Sequence, residues 1–198
     1  MSNSVSNELP GDTSDELFED EAAPQKIVSS ETVFEGRVWN IRHDTFEYNG
    51  SEIGRDYVDH PGAVAVLAID DEGRALLIQQ YRHPIAMREW ELPAGLLDIE
   101  NEDPLVAAQR ELAEEVDLQA SDWTELVTFH TSPGGSNEVL RVYLARGLSA
   151  TPTFEREEEE ADIVLRWVPL ADIVAGILDG RLKNSILMIG VLAAHARG

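Results

Sequence analysis

Between Glu100 and Asp117 the chain carries Glu100, Glu102, Asp103, Glu111, Glu114, Glu115 and Asp117 against a single basic residue, Arg110. Like charges at helical neighbour spacing repel by roughly 0.2–0.5 kcal/mol per pair, so a cluster of this density calls for a counter-charge. A divalent metal ion supplies one. Mg²⁺ takes hard oxygen ligands from a rigid scaffold and keeps coordination positions open to water and to a substrate phosphate. The competing reading is a solvated charged face, and from the carboxylates alone the two weigh about equally. The loop Pro93-Ala94-Gly95 ahead of them, where the backbone can turn closely, favours the metal.

The elements that must position these groups follow from periodicity. Asp103-Pro104 reads as a helix start, with Asp as the cap and Pro at the first helical position. Leu105, Ala108, Leu112 and Val116 then form one apolar stripe, which places Glu111 and Glu115 together on a different face with Glu114 alongside. Arg110 stands four residues before Glu114 and can hold that carboxylate. Ahead of the helix, RVWNIRHDTFEY and the run through Tyr57-Val58 flank Asn49-Gly50, a strong hairpin signal over 37–59. AVAVLAI (63–69) and RALLIQQYR (74–82) are near-continuously apolar and read as a second hairpin, buried on both faces at the centre of a layered domain. REWELPAG (88–95) is a short strand running into a loop. WTELVTFHT (123–131) and EVLRVYLAR (138–146) are strands on either side of SPGGSNE (132–138). DIVLRWVPL is a last strand, followed by helices over about 169–179 and 184–196.

Composition narrows the function. The chain has 198 residues, a formal net charge of −23 and no cysteine, which excludes disulfides, zinc-thiolate sites and cysteine nucleophiles. Its acidity argues against nucleic-acid polymers as partners, since that affinity comes from Lys and Arg on phosphates. A small phosphorylated ligand is compatible, given metal ions or local arginines. The first 25 residues hold seven acidic side chains and no basic one, and read as a disordered acidic tail. No secretory leader or membrane span is legible, so the expectation is a soluble cytoplasmic protein. The run EREEEEAD (155–162) reads as a solvated loop. Trp39 and Arg55 on the first hairpin could sandwich a base, against the plainer reading of a packed Trp and a solvated Arg. His83, after the strand that ends at Arg82, reads as structural.

The stretch around the helix resembles the Nudix box, G-x5-E-x7-R-E-U-x-E-E-x-G-U, where U is a bulky aliphatic residue. Gly95, Glu102, Arg110, Glu111, Leu112, Glu114, Glu115 and Leu118 fill it. Two positions depart: six residues separate Gly95 from Glu102, and Asp117 stands where the box has glycine. The extra residue falls in a loop, and Asp can adopt the left-handed conformation at some cost. WELPAG, the run to Arg82, and Pro133 about fifteen residues after the box extend the resemblance to the ADP-ribose pyrophosphatase subgroup over roughly 30–195.

The resemblance implies an α/β (α+β) fold, a Nudix-type α/β/α sandwich with a mixed central sheet, plus an N-terminal antiparallel β-hairpin region. It divides the chain into the tail (1–25), an N-terminal β region for dimerisation and substrate binding (26–60), and the Nudix domain (61–198). It implies Mg²⁺, or Mn²⁺ in its place, on Glu111, Glu114, Glu115, Glu160 and the Ala94 carbonyl. Glu160, Glu114 and Glu115 form the catalytic set, with Glu160 or a helix glutamate deprotonating water and Glu159 as a neighbour. Arg82 pairs with a phosphate, and Arg55 stacks on adenine. Trp39, Glu91, Leu96, Pro133, Gly134 and Glu138 complete the substrate-binding set. The implied reaction is hydrolysis of ADP-ribose to AMP and ribose 5-phosphate by a homodimer. The rivals are a Nudix hydrolase of another nucleoside diphosphate derivative, such as NADH, a diadenosine polyphosphate or a nucleotide sugar, and a non-catalytic ADP-ribose sensor. A sensor would be marked by a lost box glutamate or an added DNA-binding domain, and neither is legible.

Overall fold

A computed structural model describes residues 18–153 and 162–198. The expected disordered tail falls largely, and Glu159 and Glu160 entirely, outside the described residues. Residues 18–25 are exposed and form no helix or strand.

Three strands come first: β1 (Ile27–Glu35), β2 (Asn40–Tyr48) and β3 (Ser51–Asp59), hydrogen-bonded antiparallel in the order β1-β2-β3. The β2–β3 hairpin closes on Asn49 and Gly50, both at positive φ (51° and 78°), the backbone that Asn-Gly adopts most readily. This sheet is thinly covered, and every residue of β1 is exposed, Ile27, Val33 and Phe34 included.

The layered part begins at β4 (Ala63–Ala68), buried along its whole length. β5 (Arg74–Arg82) follows a turn in which Asp70 accepts the backbone N–H groups of Glu72 and Arg74. The expected second hairpin does not form as one. β4 and β5 meet only in a bridge between Ile69 and Ala75, and then enter different sheets. The physical reason is that each strand is apolar on both faces and central, so each needs two hydrogen-bonded neighbours of its own. β4 lies between β7 (Ala94–Leu96) and β9 (Val139–Ala150) in a sheet ordered β7-β4-β9-β8, with β8 spanning Leu118–His130. The β4–β9 pair is parallel and its neighbours antiparallel, so the sheet is mixed. β5 lies between β6 (Met87–Glu91) and β10 (Val164–Pro169) in an antiparallel sheet.

Alternation along β4 divides the core into two layers. Val64, Val66 and Ala68 pack with Ala108, Leu112 and Val116 of α1 (Pro104–Val116). Ala63, Ala65 and Leu67 pack with α2 (Leu170–Leu178) and α3 (Ser185–Arg197), through Ile173, Ile177, Leu187 and Val191. The architecture is therefore the expected α/β/α sandwich with a mixed central sheet. Among the described residues no helix is long and apolar enough to cross a membrane.

Candidate active site

α1 starts where Asp103 accepts the Leu105 N–H at 2.8 Å, with Pro104 at the first position. It ends at Asp117, in the left-handed conformation (φ 57°, ψ 36°), whose N–H reaches back to the carbonyls of Ala113 and Leu112. Asp thus occupies the backbone state for which the box has glycine. The apolar stripe is as expected, but the buried face is wider: Ala107 and Glu115 belong to it, and Glu115 is only 5% exposed.

A carboxylate buried that deeply needs a partner. Glu115 Oε2 accepts the Ala94 N–H at 2.9 Å, which ties the helix to the loop ahead of it. The loop is held from behind as well, because the Pro93 carbonyl accepts from Val66 N–H at 2.8 Å. Glu111 lies against Gly95, so closely that a Cβ there would overlap its carboxyl carbon and Oε1. The φ of Gly95 is not among the positive ones, so a side chain here would act by displacing the end of Glu111 and not by straining the backbone. Arg110 does more than brace Glu114. Its guanidinium takes Glu102 through two bonds of 3.1 Å, reaches Glu111 Oε1 at 2.6 Å and Glu114 Oε2 at 3.1 Å. The hydrogen bonds to Glu102, with the nearby Glu111 and Glu114, raise the Arg110 pKa well above its ordinary value. Arg110 in turn lowers the Glu102 carboxyl below the usual range. One fixed cation therefore gathers three carboxylates and offsets their mutual repulsion.

Clustered carboxylate oxygens are the donor type that hard divalent metal ions take. Among the described residues no three or more His, Cys, Asp or Glu side chains are disposed as a cage. Mg²⁺ does not require one, since it is commonly held by one or two carboxylates with waters and substrate phosphates. Glu111 and Glu115 bring carboxylate oxygens of that kind to the Ala94-Gly95 loop.

The other sequence-derived residues form three further groups, with Leu96 apart in the core. Arg82 donates to both oxygens of Glu91, at 2.9 and 2.7 Å, and Glu91 is 3% exposed. Glu91 thereby orients the guanidinium, a two-point geometry that Lys could not reproduce. Arg55, Pro133 and Gly134 line one cleft of about 500 Å³ together with Tyr57, His130 and Ser136. Trp39 and Glu138 are brought together through His60. The indole stacks on the imidazole with centroids 4.2 Å apart, and Nε2 of His60 stands 3.4 Å from Glu138 Oε1. Leu96 pairs with Ala63 in β7 and packs on the core, and the Leu97 N–H donates to the Gly62 carbonyl at 3.0 Å. That last bond places the box loop beside the segment that holds His60. A separate cleft of about 340 Å³ between β5, β6, β10 and α2 contains none of the candidate residues.

His60, Thr131 and Asn137 were not legible as site residues. A histidine between a strand end and Pro-Gly was the only sign of the first, and the others owe their place to chain segments that meet only in the fold.

The NUDIX domain family model matches residues 59–187. The chain belongs to the Nudix family. Over 172 residues it is 48% identical to an ADP-ribose pyrophosphatase of Mycobacterium tuberculosis, covering 86% of this chain and 83% of that protein. It is also 36% identical over 168 residues to a methanol dehydrogenase activator of Bacillus methanolicus, covering 84% and 90% of the two chains. Its fold is similar to the crystal structure of an ADP compounds hydrolase, with a TM-score of 0.74 and 22% identity over 90% of this chain and 96% of that one.

Proposed function

We propose that this Nudix hydrolase cleaves the pyrophosphate of ADP-ribose, giving AMP and ribose 5-phosphate, with Mg²⁺ as its cofactor and Mn²⁺ able to replace it. The observation that carries the substrate is the 48% identity, along most of both chains, to an ADP-ribose pyrophosphatase. The chemistry rests on the carboxylates gathered by Arg110 against the Ala94-Gly95 loop.

Hydrolysis of a phosphoanhydride requires charge neutralised on the non-bridging oxygens, a positioned water and a stabilised leaving phosphate. A divalent ion, when bound, would supply the first and would favour deprotonation of the attacking water. Glu111, Glu115 and the Ala94 carbonyl would hold it, and Glu114 would assist. Glu160 or a helix glutamate accepts the proton as water oxygen bonds to phosphorus and the bridging P–O bond breaks. Arg82, oriented by Glu91, pairs with a phosphate. Arg55 and Trp39 flank the adenine, while Pro133, Gly134, Glu138 and Leu96 shape the remainder of the pocket.

The enzyme works as a cytoplasmic homodimer, with the N-terminal β region contributing to the partner's site. The exposed apolar side chains of β1 support that arrangement. Acting on the same bond of another nucleoside diphosphate derivative is the second reading, favoured by a 26% identical relative, covering 80% of this chain, that is named a GDP-mannose pyrophosphatase. A panel of ADP-ribose, NADH, diadenosine polyphosphates and GDP-mannose distinguishes the two. The expected result is a kcat/KM for ADP-ribose at least about tenfold above every other member, a gap of roughly 1.4 kcal/mol in transition-state binding. A different best substrate overturns the assignment.

A further inference from the structure

His60 follows β3 and precedes β4, where the N-terminal sheet joins the layered domain, and its side chain is 7% exposed. Its Nδ1 accepts the Gly62 N–H at 3.0 Å. The neutral ring therefore carries its proton on Nε2, the atom that faces Glu138. Burial holds the imidazole below the usual histidine range, against the opposing pull of Glu138. Glu138 is fixed from its other oxygen, which accepts from Thr131 Oγ1 at 2.5 Å.

The backbone repeats this connection. Asn137 accepts the His60 N–H at 2.7 Å and donates to Asp59 at 2.9 Å, and the Val58 N–H donates to the Gly135 carbonyl at 2.9 Å. Loop 132–138 is thus laced to the end of β3 along its length. Trp39, from the connection between β1 and β2, rests on the other side of the joint with one indole face on the imidazole and 36% of its surface still exposed. A ring backed on one face is fixed in tilt, and its exposed part can stack on a planar ligand.

We propose that His60 is a positioning residue: it backs the indole of Trp39 and braces Glu138, so that the N-terminal sheet and loop 132–138 meet the nucleotide as one surface. The inference rests on the ADP-ribose reading above. It assigns to His60 an effect on substrate binding and little effect on the chemical step, because the metal-binding carboxylates are held separately by Arg110 and Ala94. His60→Phe keeps the stack and loses both nitrogen contacts. His60→Gln keeps a donor and loses the ring.

The test is steady-state hydrolysis of ADP-ribose at saturating Mg²⁺ by the full chain, its His60→Phe, His60→Gln and Glu138→Gln variants, and the His60→Phe/Glu138→Gln double variant. Both His60 variants should raise KM about tenfold with kcat within about threefold. The double variant should be no worse than His60→Phe by more than about twofold, since the shared contact is already gone. If His60→Phe does not fold, His60→Gln carries the KM measurement, and its cycle with Glu138→Gln carries the coupling. Unchanged KM in folded His60 variants, or multiplicative losses in the double variant, overturns the proposal. Imidazole nitrogen chemical shifts read the brace without turnover. They should report an Nε2–H ring that responds to Glu138→Gln, and an insensitive or Nδ1–H ring overturns the proposal whatever the substrate. A wild type that shows this ring and leaves ADP-ribose intact overturns the substrate reading and, with it, the role of His60 in binding ADP-ribose.

Discussion

Arg110 and His60 each hold carboxylates in place, with partners drawn from very different distances along the chain. Arg110 finds all three within eight residues, on its own helix and the loop just before it. His60 meets Asn137, 77 residues away, together with Glu138 and Trp39, which comes from another strand connection. The first arrangement is electrostatic, a permanent cation among groups that would otherwise repel. The second is a neutral ring between an indole and a carboxylate. The difference shows that the carboxylate cluster proposed for the chemistry can be encoded in one contiguous stretch, because a helix sets i and i+4 side by side. The part proposed to read the substrate waits for the tertiary fold.

Breaking the helix side should have the larger effects. Glu115→Gln can still accept the Ala94 N–H but loses its charge, and kcat at saturating Mg²⁺ should fall at least about 10³-fold while Tm stays within a few degrees. Near-normal hydrolysis in that variant would remove Glu115 from the metal site.

Arg110→Met leaves Glu102, Glu111 and Glu114 without their common cation. Denaturant unfolding in the absence of metal should show a loss of about 2–3 kcal/mol, below the range for a fully buried pair because the site is partly solvated. Adding Mg²⁺ should recover part of it, since the ion supplies replacement charge. The same pairing sets the sign of an acid limb. Arg110 lowers the Glu102 pKa, so its stabilising contribution is complete above the ordinary glutamate value of 4.5 and disappears as pH falls through the lowered value. That part of the acid limb should be missing in Arg110→Met.

Gly95→Ala drives a methyl group into the Glu111 carboxyl and should lower kcat about 10–100-fold through misplaced ligands, with a much smaller change in KM. The smallest effect is expected at Asp117. Asp117→Gly removes the cost of a left-handed non-glycine residue and should stabilise the chain by up to about 1 kcal/mol without altering turnover.

The legibility of the two regions follows from the same contrast. The cap at Asp103, the stripe from Leu105 to Val116, the left-handed turn at Asp117 and the Asn49-Gly50 hairpin are local events that a sequence states directly. α2 and α3 were bounded to within a residue or so for the same reason. The separation of β4 from β5 was not legible, because a turn between two apolar strands looks alike whether they pair or diverge, and the choice is made by β9 and β10 far downstream. Arg110 was legible as a partner of Glu114 by its spacing, whereas its bonds to Glu102 depend on how the loop 96–102 folds back. Glu91 holds Arg82 across a strand pair, and His60 lies where three segments cross; neither relation has a spacing that marks it.

Metal-dependent cleavage of ADP-ribose is tested by product analysis after incubating the purified full chain with ADP-ribose, with and without Mg²⁺, and with Glu115→Gln beside the wild type. AMP and ribose 5-phosphate are expected in equal amounts from the wild type with metal, and essentially neither from the chelated enzyme or the variant. Intact ADP-ribose in every lane, or the same products at the same rate without metal, would contradict it.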